Sequence, residues 1–106
     1  LPSFSEAWRA KGLAEVRKAE VLSSLGKPDA ERYYRDAIKS FSRVTGDTSD
    51  DITLRMSLAK AFFETGDGKK ALNILSSIQA THESDPEISA LMQNISSRMN
   101  IQGGAG

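Results

Sequence analysis

The chain has 106 residues, enough for one domain with one modest core. Its 39% apolar and 26% charged residues are ordinary for a soluble globular chain, and 14 basic side chains balance 14 acidic ones, so the positive excess of a phosphate-contacting nucleic-acid binder is missing. There is no cysteine, which excludes a disulfide framework, a thiolate zinc site and a cysteine nucleophile, and no apolar run approaches the roughly 18 residues of a membrane span.

Leu1-Pro2-Ser3-Phe4 is neither an initiator methionine nor a signal peptide, as expected of a piece excised or processed from a longer chain. Ser3 and Glu6 have capping-box spacing, so a first helix is expected to open there. Trp8, Gly12, Val16, Ala19 and Leu22 continue it at helical spacing, and Gly26 followed by Pro28 stops it. A second helix starts near Pro28 or Asp29 with Tyr34, Ala37, Ile38, Phe41 and Val44 as its stripe. Gly46 ends it, and Arg32 and Asp36 are spaced to pair on its outer face.

The polar turn Asp47-Thr48-Ser49-Asp50-Asp51 supplies caps for a third helix from about Asp50 to Thr65. That helix carries Leu54, Leu58, Ala61 and Phe62 on one side and Met56 and Phe63 on another, the pattern of a helix held between neighbours. Gly66-Asp67-Gly68 interrupts it. Gly66 is suited to a left-handed C-terminal position and Asp67 to the N-cap of a fourth helix, Asp67 to Ala80, with Ala71, Ile74, Leu75 and Ile78 inward. So short a turn predicts an antiparallel hairpin, with Ala59 and Ala71 at the crossing. After a turn from Thr81 to Asp85, Asp85-Pro86-Glu87 starts a fifth helix bearing Ile88, Leu91, Met92, Ile95 and Met99. Period-two alternation is absent over any useful length, so the expected class is all-α: two helical hairpins and a C-terminal capping helix in residues 1–100, with 101–106 as a flexible tail.

The hairpins repeat. A shift of forty residues brings Gly26 onto Gly66, Ala19 onto Ala59 and Leu22 onto Phe62. A shift of thirty-four brings Ala37 onto Ala71, Ile38 onto Leu72, Phe41 onto Leu75 and Val44 onto Ile78, which leaves six extra residues in the first turn. The second hairpin, with Leu58-Ala59, Phe62, Gly66, Ala71, Leu75 and Ile78, resembles the tetratricopeptide repeat family, an α-solenoid of helical hairpins. It departs from the family pattern at Arg55, where an aromatic is usual, and at Glu83, where a proline is usual. The first hairpin departs at Glu15 and Lys18, and Gln93 marks the fifth helix as a cap.

No group for catalysis stands out. Gly66-Asp67-Gly68-Lys69-Lys70 lacks P-loop spacing and follows a helix, so it is a turn. The acids at 47, 50 and 51 have Ile52 and Leu58 where a calcium loop needs glycine and glutamate. His82 has no second ligand at metal spacing, and the acceptor pattern Asn94-Ile95-Ser96 lies inside a helix. Trp8, Tyr33 and Tyr34 are read as core or rim. No enzyme activity, metal or cofactor is expected.

The resemblance implies a protein-interaction module whose concave face holds a partner peptide or helix. Carried over position by position, that face comprises Leu13, Val16, Glu20 and Ser23 of the first helix and Thr53, Met56, Lys60, Phe63 and Glu64 of the third, with Met56, Lys60 and Phe63 partly exposed. The lysine and asparagine set that clamps a C-terminal carboxylate in chaperone-binding relatives is not present. The alternative is a structural, spacer or self-association domain: two hairpins are fewer than the three or so units such arrays need. Further repeats or a second copy, as in a homodimer, would then cover apolar surface near Phe4 and Trp8 or near Met92 and Met99.

Overall fold

A computed structural model describes residues 3–82 and 85–103. Among these residues there are five helices and no strand: α1 (Phe4–Ser24), α2 (Ala30–Ser42), α3 (Ile52–Glu64), α4 (Gly68–Gln79) and α5 (Pro86–Gly103). Consecutive helices pair as hairpins, α1 on α2 and α3 on α4. The α2–α3 packing joins the hairpins, α5 lies on α4, and α1 touches α3 more lightly. The chain is the expected all-α hairpin array.

Local chemistry sets the boundaries. The Ser3 hydroxyl accepts from the Glu6 backbone N–H at 3.1 Å while Glu6 Oε2 accepts from the Ser3 N–H at 3.3 Å, a complete capping box. Both hairpin turns use one device. Gly26 and Gly66 take φ of 69° and 99°, and the residue after each donates back across the turn, Lys27 to Leu22 O and Asp67 to Phe62 O, each at 2.8 Å. These are Schellman closures, which only a residue free to adopt the left-handed region makes cheaply. Asp67 then accepts from the Lys70 N–H at 3.1 Å, so one residue closes α3 and caps α4. That double role explains why a three-residue interruption suffices.

Three local expectations are corrected. The six extra residues of the first hairpin do not all sit in its turn: the turn over residues 25–29 is only slightly longer than that over 65–67, and the rest add a helical turn to the start of α2. Second, α2 ends at Ser42, short of Gly46. The Arg43 and Val44 N–H groups donate to Ser40 O and Phe41 O, a tightened last turn that closes the helix before the glycine is reached. Third, Arg32 does not pair with Asp36. Its guanidinium lies 5.0 Å from the Tyr33 ring centre, and the pair on this face is Glu31–Arg35 at 2.5 Å. Of the expected tail, residues 101–103 are the end of α5 and 104–106 lie outside the described residues, as does Glu83.

The core forms two clusters. Val16, Ala19, Tyr34, Ala37, Phe41, Leu54 and Ala61 join α1, α2 and α3. Met56, Ala59, Ala71, Leu75, Ile78, Ile88 and Ile95 join α3, α4 and α5. Ala59 and Ala71 are both fully buried, as their place at the second hairpin's crossing requires. Ser40 is buried too, and its hydroxyl donates to Glu15 Oε1 at 2.5 Å, so the α1–α2 interface carries a satisfied polar link.

A second polar link ties α1 to the start of α3. Arg9 donates from Nε and Nη2 to the two Asp51 oxygens at 2.6 and 2.9 Å, and Asp51 Oδ1 also accepts from the Leu54 N–H as N-cap. The Arg9 hydrogen bond holds the Asp51 carboxyl below the ordinary carboxylate range. A depressed folded-state pKa means stability that is present above the unfolded value, near 3.9, and lost as pH falls through the lower folded one. Asp51→Asn keeps the cap and loses the ion pair. It should cost about 1 kcal/mol at neutral pH, since both partners are partly solvated. In urea titrations the gap between the two proteins should close below about pH 4. A gap that does not narrow at all as the pH falls below about 4 would show that the asparagine disturbs the cap instead.

Candidate partner groove

Where α1 and α3 run side by side, a groove of about 410 Å³ opens, closed at one edge by the start of α5. Leu13, Val16, Arg17 and Glu20 line it from α1, Ile52, Thr53, Met56, Ser57 and Lys60 from α3, and Glu87 of α5 together with Asp85, which precedes α5. The volume falls in the range of about 300–1,000 Å³ typical of ligand clefts, room for a few side chains rather than a whole helix face.

The forty-residue shift explains the lining. Leu13, Val16, Arg17 and Glu20 map onto Thr53, Met56, Ser57 and Lys60, so equivalent positions of two equivalent helices form the two flanks. At the far end Lys60 Nζ stands 3.6 Å from Glu20 Oε2, an ion pair across the groove. Tyr34 of α2 is buried close to Glu20 and Glu64. Burial first, then those two carboxylates, push its phenol up to about 12, so it stays a neutral donor throughout the physiological range.

Six of the nine residues expected on the concave face line this groove: Leu13, Val16, Glu20, Thr53, Met56 and Lys60. Lys60 is partly exposed, as expected, whereas Met56 is not. Met56 is 7% exposed and Val16 2%, so both are floor and core at once; Met56 sits at the edge of the second cluster, not in solvent. Ser23 is exposed on the last turn of α1 and does not line the groove. Phe63 and Glu64 turn toward α5. The Arg98 guanidinium lies 4.5 Å from the Phe63 ring centre and donates to Glu64 Oε1 at 2.9 Å, so this trio fastens α3 to α5. Phe63 is partly exposed, as expected, but it packs against the second cluster and is not an open anchor.

Arg17, Ile52, Ser57, Asp85 and Glu87 were not expected there. Arg17 lies one helical turn beyond Leu13, and Ser57 is its equivalent at the forty-residue shift, so both were within reach of the pattern. Asp85 and Glu87 were not, because no sequence rule brings the start of a following helix to the rim.

The aromatic side chains hold structural positions. Trp8 is half-buried with Arg43 4.7 Å from its ring centre, and Tyr33 has Lys18 at 4.6 Å. Among the described residues no three His, Cys, Asp or Glu side chains gather as a metal site, and no helix is long and apolar enough to cross a membrane.

The sequence profile described as tetratricopeptide repeat matches residues 29–95, more than half of the chain, from the N-cap of α2 into α5. It takes in the α3 flank of the groove and leaves α1 outside. Searches of curated proteins and of solved structures each gave no match.

Proposed function

The chain belongs to the tetratricopeptide repeat family, whose repeats are generally protein–protein interaction modules, and on that premise we propose that its α1–α3 groove holds a segment of a partner protein. One observation carries the reading: positions equivalent under the repeat line a single concavity that joins an apolar floor of Val16 and Met56 to charged walls. Surfaces of that composition bind by seating an apolar anchor and fixing its register with polar neighbours. No catalytic step is assigned to it.

The test is selection from a displayed random peptide library. Ser57 lines the groove and is only partly buried, so Ser57→Trp should fill it without touching the core. Peptides enriched on the native chain should lose at least about tenfold in affinity, about 1.4 kcal/mol. They should also shift the amide signals of Thr53, Met56 and Lys60 on titration. Peptides that bind Ser57→Trp equally well would place the site elsewhere.

A second reading has its own observation. The forty-residue shift carries Leu54, Leu58 and Ala61 onto Ala14, Lys18 and Val21. The α3 set packs in the first cluster under α2, whereas Ala14 and Lys18 are exposed and Val21 is 57% exposed. The face of α1 equivalent to one that is stacked upon is therefore open, and self-association through it is the structural alternative. The same experiment separates the two, because this face lies away from Ser57.

A further inference from the structure

Charge inside the groove is arranged, and the arrangement narrows what fits. Of its five charged residues, Glu20 and Lys60 face each other at 3.6 Å. Asp85 is engaged as the cap of α5, its Oδ1 accepting from the Glu87 N–H at 2.9 Å. Arg17 and Glu87 remain, and among the described residues neither side chain has an ion-pair or hydrogen-bond partner. They come from different walls, Arg17 from α1 and Glu87 from α5.

We infer that the groove selects a short peptide segment carrying both charges, an acidic side chain toward Arg17 and a basic one toward Glu87, flanking an apolar side chain on Val16 and Met56. This rests on the partner-binding reading and adds the chemistry of the partner. The physical reason is desolvation. A wholly apolar segment would cover two lone charges and leave them unpaired. A segment of one sign would satisfy one wall and be repelled by the other, whereas a segment with both pairs each charge in the groove's lowered dielectric. The Asp85 carboxylate beside Glu87 strengthens the preference for a cation at that edge.

The same random peptide library, sequenced after selection, tests this. Arg17 and Glu87 are both exposed, so Arg17→Glu and Glu87→Lys should leave the circular-dichroism spectrum and the melting temperature nearly unchanged. On the native chain the enriched peptides should combine an acidic and a basic residue around an apolar one. On Arg17→Glu the acidic preference should vanish, and on Glu87→Lys the basic one. A peptide from the native pool should lose about tenfold in affinity for either variant and regain it when the matching peptide charge is reversed. Peptides that bind at the groove with no charge preference, or with one the two variants do not alter, would overturn the inference and leave partner binding standing. No enrichment on the native chain would remove the partner-binding reading itself, and the inference with it.

Discussion

Phe41→Ala should destabilise the chain by about 3–5 kcal/mol, a large share of the roughly 5–15 kcal/mol that holds a domain together. Phe41 is 5% exposed in the first cluster and its ring lies directly on α1 at Gly12. A Cβ at Gly12 would fall 2.5–2.9 Å from three ring carbons, so α1 approaches α2 as closely as it does only because position 12 has no side chain. This decides the sign of a second change. In an open helix Gly→Ala gains up to about 1 kcal/mol. Here Gly12→Ala should lose stability on balance, because overpacking costs about 1–3 kcal/mol and a buried ring has nowhere to swing. In the Phe41→Ala background the clash is gone, and Gly12→Ala should become neutral or stabilising. Urea unfolding of the four proteins measures the coupling, and Phe41→Leu serves as the milder partner if Phe41→Ala is too unstable to titrate. If Gly12→Ala raises the midpoint of the otherwise native chain, the ring is not seated on α1.

That contact shows where the sequence is silent. Gly12 was legible as one of the inward positions of α1, since it falls on the helical stripe with Val16 and Ala19. Nothing in the spacing says that it faces a phenyl ring 29 positions away. The hairpins were legible because their causes are local: a glycine able to take positive φ, an aspartate able to cap, and a stripe at helical period. The family resemblance placed six of the groove's lining residues, and the forty-residue shift relates those on its two flanks. What escaped was set by distant packing. Arg9 and Asp51 are 42 residues apart. Phe63 falls under Arg98 of α5, 35 residues on, and Asp85 and Glu87 reach the groove from the other end of that helix.

Leu75→Ala should cost about 2–5 kcal/mol, and its damage should be unevenly distributed. Leu75 is fully buried in the second cluster beside Ala59, Ala71, Ile78, Ile88 and Ile95. Removing it leaves a cavity among helices α3, α4 and α5. The first cluster contains none of those residues and is joined to the second through the α2–α3 packing and the shared helix α3. In an array whose elements touch only their neighbours, stability approximates a sum of unit and interface terms, so a local loss need not spread evenly. Native-state hydrogen exchange should show protection falling most in α4 and α5 and least at the α1–α2 interface around Val16, Ala37 and Phe41. Phe41→Ala should give the reverse map. Because the two residues belong to different clusters, the double variant should lose close to the sum of the two costs. If Leu75→Ala instead lowers protection equally in all five helices, the chain unfolds as one cooperative block and the two clusters act as a single core. The groove would feel the difference, since one flank and floor residue, Met56, belongs to the second cluster and the opposite one, Val16, to the first. Independent opening of the second hairpin would part those flanks without unfolding the first hairpin, and peptide affinity should then fall with Leu75→Ala by the fraction of chains whose second hairpin is open.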